Sequence, residues 1–121
     1  MHDTNALIQL IKKVIENKVD SQQFTKLLKD FLNCETLFFY GIRYGKPFLY
    51  PDDSVKKTAI DLAIKSGLTQ VNGLTIIPIA DQSYILTDTP LAFTEIECTL
   101  IETAWKAISY RQYIQFLSLV L

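Results

Sequence analysis

A chain of 121 residues, 49% hydrophobic and 21% charged, is long enough for one domain with its own core and too apolar for a disordered segment. Its formal net charge is −1 and its Lys and Arg residues are scattered, which argues against a nucleic-acid footprint or a polybasic membrane anchor. No apolar run approaches the roughly 18–20 residues that span a bilayer, and no export signal is visible after Met1, so a cytoplasmic location with Cys34 and Cys98 as reduced thiols is expected.

Leu7, Ile8, Ile11, Val14 and Ile15 form one apolar stripe and predict a helix from near Thr4, capped by Asp3 or Thr4. A second helix starts at Asp20. Gln23 stands three residues on, at capping-box spacing, and Val19 and Phe24 take the staple positions. Phe24, Leu27, Leu28, Phe31 and Leu32 form its stripe. From Thr36 the period changes. Leu37-Phe38-Phe39-Tyr40-Gly41-Ile42 is apolar on both faces, as in a strand covered on both sides. A turn at Arg43 to Lys46 leads to a short strand, Pro47 to Tyr50, whose proline suits a sheet edge or strand start.

Pro51-Asp52-Asp53-Ser54 opens a helix near 54–66, with Val55, Ala59, Leu62 and Ala63 as its stripe, Ile60 and Ile64 widening it, and Gly67 ending it. Leu68 to Val71 and Leu74 to Ile79 flank Asn72-Gly73, a strong hairpin signal. Asp81-Gln82 turns into a strand from Ser83 to Thr87. Thr94 and Glu97 form a capping box for the last helix, with Phe93 and Cys98 as its staple. That helix carries two apolar stripes, Leu100, Ala104, Ala107 and Ile114, and Cys98, Ile101, Trp105 and Ile108. It must be buried on more than one side, and its tail from Phe116 to Leu121 stays apolar.

Without a repeat or linker, the chain reads as one domain over 1–121, with 1–19 an added N-terminal helix. The expected fold is α/β of the α+β kind: a central antiparallel sheet of about five strands with helices on both faces. Helix 54–66 should lie on one face and the first and last helices together on the other.

Ile77-Pro78-Ile79, the hairpin after it, and Phe93-Thr94-Glu95-Ile96-Glu97 leading into Leu100-Ile101 and Ala104 resemble the C-terminal half of GAF domains. Gln23 to Tyr44 resembles that family's opening helix and first strand, so the resemblance covers roughly residues 20 to 115. It implies a GAF/profilin-like fold and a role in sensing small molecules or in dimerising. A few members, the free methionine-sulfoxide reductases, are enzymes whose cysteines stand in loops over the pocket, where neither Cys34 nor Cys98 falls. Only a short segment separates Gly67 from Leu74, where liganded members carry long loops. Tyr84 and Ile85 occupy a region where the family usually has a glycine.

No catalytic residue, metal ligand or cofactor is expected. His2 is the only histidine, with a solvated role, which excludes a multi-His metal site and any Ser-His pair with Ser21, Ser54, Ser66 or Ser83. Asp52 and Asp53 read as helix-capping groups, and both cysteines as buried small hydrophobes. Gly41, Gly45, Gly67 and Gly73 do not space as a phosphate loop. Tyr40, Tyr44, Tyr50 and Tyr84 are the candidate ligand-lining residues, with core and rim packing as the alternative. The first functional reading is a non-catalytic regulatory or interaction module. It would act on a partner protein in trans and form a homodimer through Leu7, Ile8, Ile11, Ile15, Trp105, Ile108, Ile114 and Leu117. The alternative is a sensor binding a metabolite between the sheet and helix 54–66, and a reductase-like enzyme comes third. Neither nucleic acid nor membrane is expected as a partner.

Overall fold

The computed structural model describes residues 3–120, so the readings of His2 and of Leu121 at the end of the tail lie outside the described residues. Nine elements follow in chain order: α1 (Thr4–Glu16), α2 (Ser21–Leu32), β1 (Leu37–Arg43), β2 (Lys46–Tyr50), α3 (Ser54–Lys65), β3 (Gln70–Val71), β4 (Leu74–Ala80), β5 (Ser83–Thr87) and α4 (Glu95–Val120).

Local chemistry sets most of the boundaries. Asp3 caps α1, its Oδ1 accepting from the Asn5 and Ala6 amides at 3.0 and 3.2 Å. Asp20 and Gln23 form the expected reciprocal box at the start of α2, and Thr94 and Glu97 form another before α4. Asp53 caps α3 by accepting from the Lys56 amide at 3.0 Å. Such caps contribute about 1 kcal/mol each. Tyr44 and Gly45, at φ 54° and 75°, turn β1 into β2; Asn72 and Gly73, at φ 50° and 79°, turn β3 into β4. Two successive positive φ values give the primed turn whose twist matches a hairpin.

The strands form one antiparallel sheet in the order β2-β1-β5-β4-β3. Alternation along β1 sends Leu37 and Phe39 to one face and Phe38 and Tyr40 to the other. On the first face α1, α2 and α4 close over Leu37, Phe39, Ile79 and Ile85 with Leu7, Ile11, Val14, Phe24, Leu28, Ile101, Ala104 and Ile108. On the second, Ile60 and Ala63 of α3 cover Phe38, Tyr40, Leu49, Leu74, Ile76 and Leu86. Both faces of β1 are therefore covered, as its two-sided apolarity requires. A register shift between Pro78 and Ala80 inserts a bulge in β4.

Two details differ from the sequence reading. The buried side of α3 is Ile60 and Ala63, with Ile64 half-buried, whereas Val55 and Leu62 stand 80% and 66% exposed. The helix is turned by roughly a quarter turn from the expected stripe. Ile60 and Ala63 pack in one buried cluster with Phe38 and Tyr40, and the Lys56 stem runs toward Phe38, its Nζ 5.2 Å from the ring centroid. Leu68 does not begin β3. Its amide bonds to the Ala63 carbonyl at 3.0 Å beyond Gly67 (φ 74°), closing α3 in a Schellman-type cap and consuming a residue assigned to the strand.

Candidate functional site

The four tyrosines do not line one pocket. Tyr40 and Tyr84 are cross-strand neighbours on the α3 face, ring centroids 5.9 Å apart. The Tyr40 hydroxyl is spent inside the fold, donating to Asp61 Oδ1, and Asp61 in turn pairs with Lys65 at 2.9 Å. Burial and the Asp61 carboxylate both push the Tyr40 phenol well above its ordinary range. Asp61 is held below the usual carboxylate range, first by the Tyr40 hydrogen bond and then by Lys65. Tyr50 faces the other way. Its register partner is Phe39, and its ring lies 5.7 Å from Trp105 on the α4 face, where burial raises its phenol. Tyr44 is at the β1–β2 turn, 84% exposed. Sequence reasoning could not separate these residues, because strand alternation assigns faces only once the β1–β2 register is fixed.

Most of the space between the sheet and α3 is filled with side chains. One recess of about 230 Å³ remains at its end, between the start of α3 and the Asn72-Gly73 turn, lined by Thr36, Lys56, Ile60, Val71, Leu74 and Asp88 among others.

The residues expected at a dimer interface also divide. Leu7, Ile11 and Ile108 are buried in the chain's own core and offer no surface to a partner, which corrects their assignment. They form the seam where α1 and α4 meet, and one chain already satisfies it. Trp105 is half-buried and committed to an aromatic cluster, with Phe39 stacked at 4.1 Å and Phe48 and Tyr50 tilted at 6.4 and 5.7 Å. Ile8, Ile15 and Ile114 remain exposed, and Leu117 is half-buried.

Past Ile108, α4 loses its core and keeps its apolar character. Arg111 Nη2 donates to the Val19 carbonyl and Gln112 Nε2 to Ser21 Oγ, both at 2.7 Å, tying the helix to the α1–α2 junction. Around these two ties, Tyr110, Tyr113, Ile114, Phe116, Leu119 and Val120 are all exposed. On the hairpin side of this segment lies a cleft of about 700 Å³, lined by Arg43, Tyr44, Lys106, Ser109, Tyr110, Gln112, Tyr113 and Phe116. The Arg43 guanidinium sits 3.7 Å from the Phe48 ring centroid and donates to Ser109 Oγ at 2.7 Å. Its burial lowers the pKa, yet an arginine stays charged at neutral pH. The sequence placed Arg43 at a turn beside Tyr44 and named no partner for it. No local pattern could bring it to Ser109, 66 positions away.

Several other polar groups are engaged within the fold. Asp53 caps α3 and Asp52 is exposed beside it. Glu102 is buried, with Oε1 accepting from Ser83 Oγ at 3.2 Å and lying 3.6 Å from Lys106 Nζ, while Oε2 has no protein hydrogen-bond partner. Cys34 is buried and Cys98 half-buried. Both are unbridged, and burial raises both thiols above their ordinary value. Among the described residues no group of three His, Cys, Asp or Glu side chains could hold a metal, and no helix is long and apolar enough to cross a membrane. Compared with protein-family models, curated proteins and solved structures, the chain matches none of them.

Proposed function

We propose that this chain is a non-catalytic interaction module that self-associates through the C-terminal half of α4 and acts on a partner protein in trans. The carrying observation is the exposed apolar girth of α4 beyond Ile108, where Tyr110, Tyr113, Ile114, Phe116, Leu119 and Val120 all face solvent. Contiguous exposed apolar patches mark interfaces. Tyr110, Tyr113, Leu117 and Val120 recur at three, four and three residues, the spacing of a two-helix seam. A second copy related by a twofold axis would present the same stripe to it, with the exposed Ile8 and Ile15 of α1 as flanking contacts. The non-catalytic part rests on the internal commitments of the polar groups: aspartates capping helices, Tyr40 bonded to Asp61, and thiols held protonated by burial. Membership of the GAF family belongs to the same proposal. Its support is the Ile77-Pro78-Ile79 and Phe93-Thr94 segments together with the antiparallel five-stranded sheet.

Sedimentation equilibrium at micromolar concentration tests the assembly. The wild type should run as a dimer and Leu117→Asp as a monomer with unchanged far-ultraviolet circular dichroism. A monodisperse wild-type monomer would overturn the self-association.

A further inference from the structure

We propose that the cleft between the β1–β2 turn and α4 binds a small organic anion, a carboxylate or phosphate carried on an aromatic body. The site is distinct from the space under α3, and it shares Tyr110 and Tyr113 with the self-association seam proposed above.

Arg43 and Lys106 are the charged residues of the cleft wall, and no carboxylate lines it. Lys106 is mostly exposed and has Glu102 at 3.6 Å. Among the described residues Arg43 has no carboxylate within ion-pair distance, although it is half-buried. A cation withdrawn from water without a counter-charge is costly, and an anion arriving beside it recovers part of that cost.

The guanidinium is clamped between the Phe48 ring face and Ser109 Oγ, which takes one of its five N–H donors. The group is thereby held in place before any ligand arrives, and its planar fork suits the two oxygens of a carboxylate or phosphate. Pre-ordering of this kind reduces what binding must spend on immobilising a long side chain.

The walls define the rest of the ligand. Tyr44 rises from the turn on one side; Tyr113 and Phe116, one helical turn apart, stand on the other. Aromatic side chains from both the turn and α4 in its lining favour a flat apolar body by offset or edge-to-face contact. A volume of about 700 Å³ fits a molecule of two fused rings with its anionic group.

The test uses naphthalene-2-carboxylate, 2-naphthyl phosphate and the neutral naphthalene-2-carboxamide, titrated into isotope-labelled protein and followed by amide chemical shifts. The Leu117→Asp variant is titrated alongside the wild type, so that self-association and ligand binding are read separately. The expected result is saturable binding of an anion, with shifts at Tyr44, Ser109 and Tyr113, at least tenfold tighter than the amide. The tighter of the two anions identifies the group. Arg43→Gln should abolish the preference for charge, and Arg43→Lys should keep part of it, with the folded spectrum checking each variant. Equal affinity for amide and anion, a preference that survives Arg43→Gln, or no saturable binding of any probe would overturn the proposal.

Discussion

The Trp105 indole lies flat on the Phe39 ring, centroids 4.1 Å apart and planes 2° from parallel. This contact holds α4 against β1, which lies between β2 and β5 in the sheet. Phe24 stacks near the same Phe39 at 5.7 Å, and Phe48 and Tyr50 lie tilted beside Trp105 at 6.4 and 5.7 Å. One aromatic column thus joins α2, β1, α4 and β2. Trp105→Ala should lower unfolding stability by about 3 kcal/mol, the lower end for a large aromatic because the ring is half-buried. Urea denaturation followed by circular dichroism measures it. A loss under 1 kcal/mol would show that the column does not hold α4.

On the opposite face the Tyr40–Asp61 hydrogen bond joins β1 to α3. Tyr40→Phe should cost about 1–2 kcal/mol at pH 7. The pH dependence has a definite sign at each end. Asp61 has a depressed pKa in the fold, so its contribution is present above the ordinary carboxylate value of about 3.9 and is lost as pH falls through the folded value. Tyr40 has a raised pKa, so its contribution is complete below the ordinary phenol value of about 10 and declines as pH rises beyond it. The stability gap between wild type and Tyr40→Phe should therefore narrow at pH 3 and again above pH 10. A constant gap across urea titrations at pH 3, 7 and 10.5 contradicts this.

Ile108 and Ile114 lie on the same helix with opposite fates, one 1% and the other 43% exposed. Ile108→Asp buries an unpaired carboxylate and opens the α1–α4 seam, a loss of several kcal/mol that should leave the chain largely unfolded. Ile114→Asp should leave the melting temperature of the protomer within a few degrees while weakening self-association. Thermal melts at low concentration, paired with sedimentation, separate the two effects. An unfolded Ile114→Asp would place that residue in the intramolecular core instead.

Both thiols are raised by burial, so little thiolate is present at neutral pH. Iodoacetamide at pH 7.5 should modify the native protein more slowly than free glutathione, with half-buried Cys98 reacting before buried Cys34. Mass spectrometry over time reads the order. The double Cys→Ala variant should remain folded and keep whatever self-association the wild type shows. Rapid labelling of Cys34 in native buffer would point to an activated thiol.

The sequence by itself determined the elements whose causes are local. Asp20 with Gln23, Thr94 with Glu97, and Asn72 with Gly73 act within four residues, so their caps and turn could be read directly. The two-sided apolarity of Leu37 to Ile42 likewise required a central strand with helices on both faces. Tertiary structure alone decided which apolar residue met which. α3 buries Ile60 and Ala63 and leaves Leu62 exposed, a choice that hydrophobicity alone does not make. Tyr40 and Tyr50 were sent to opposite faces by a register that pairs Phe39 with Tyr50. Leu7, Ile11 and Ile108 were spent within one chain, leaving Ile114 exposed, because α1 ends where Arg111 meets Val19 while α4 runs on. Arg43 found Ser109 across the fold for the same reason: burial and pairing between distant segments are properties of the packed chain, and no local window of sequence contains both partners.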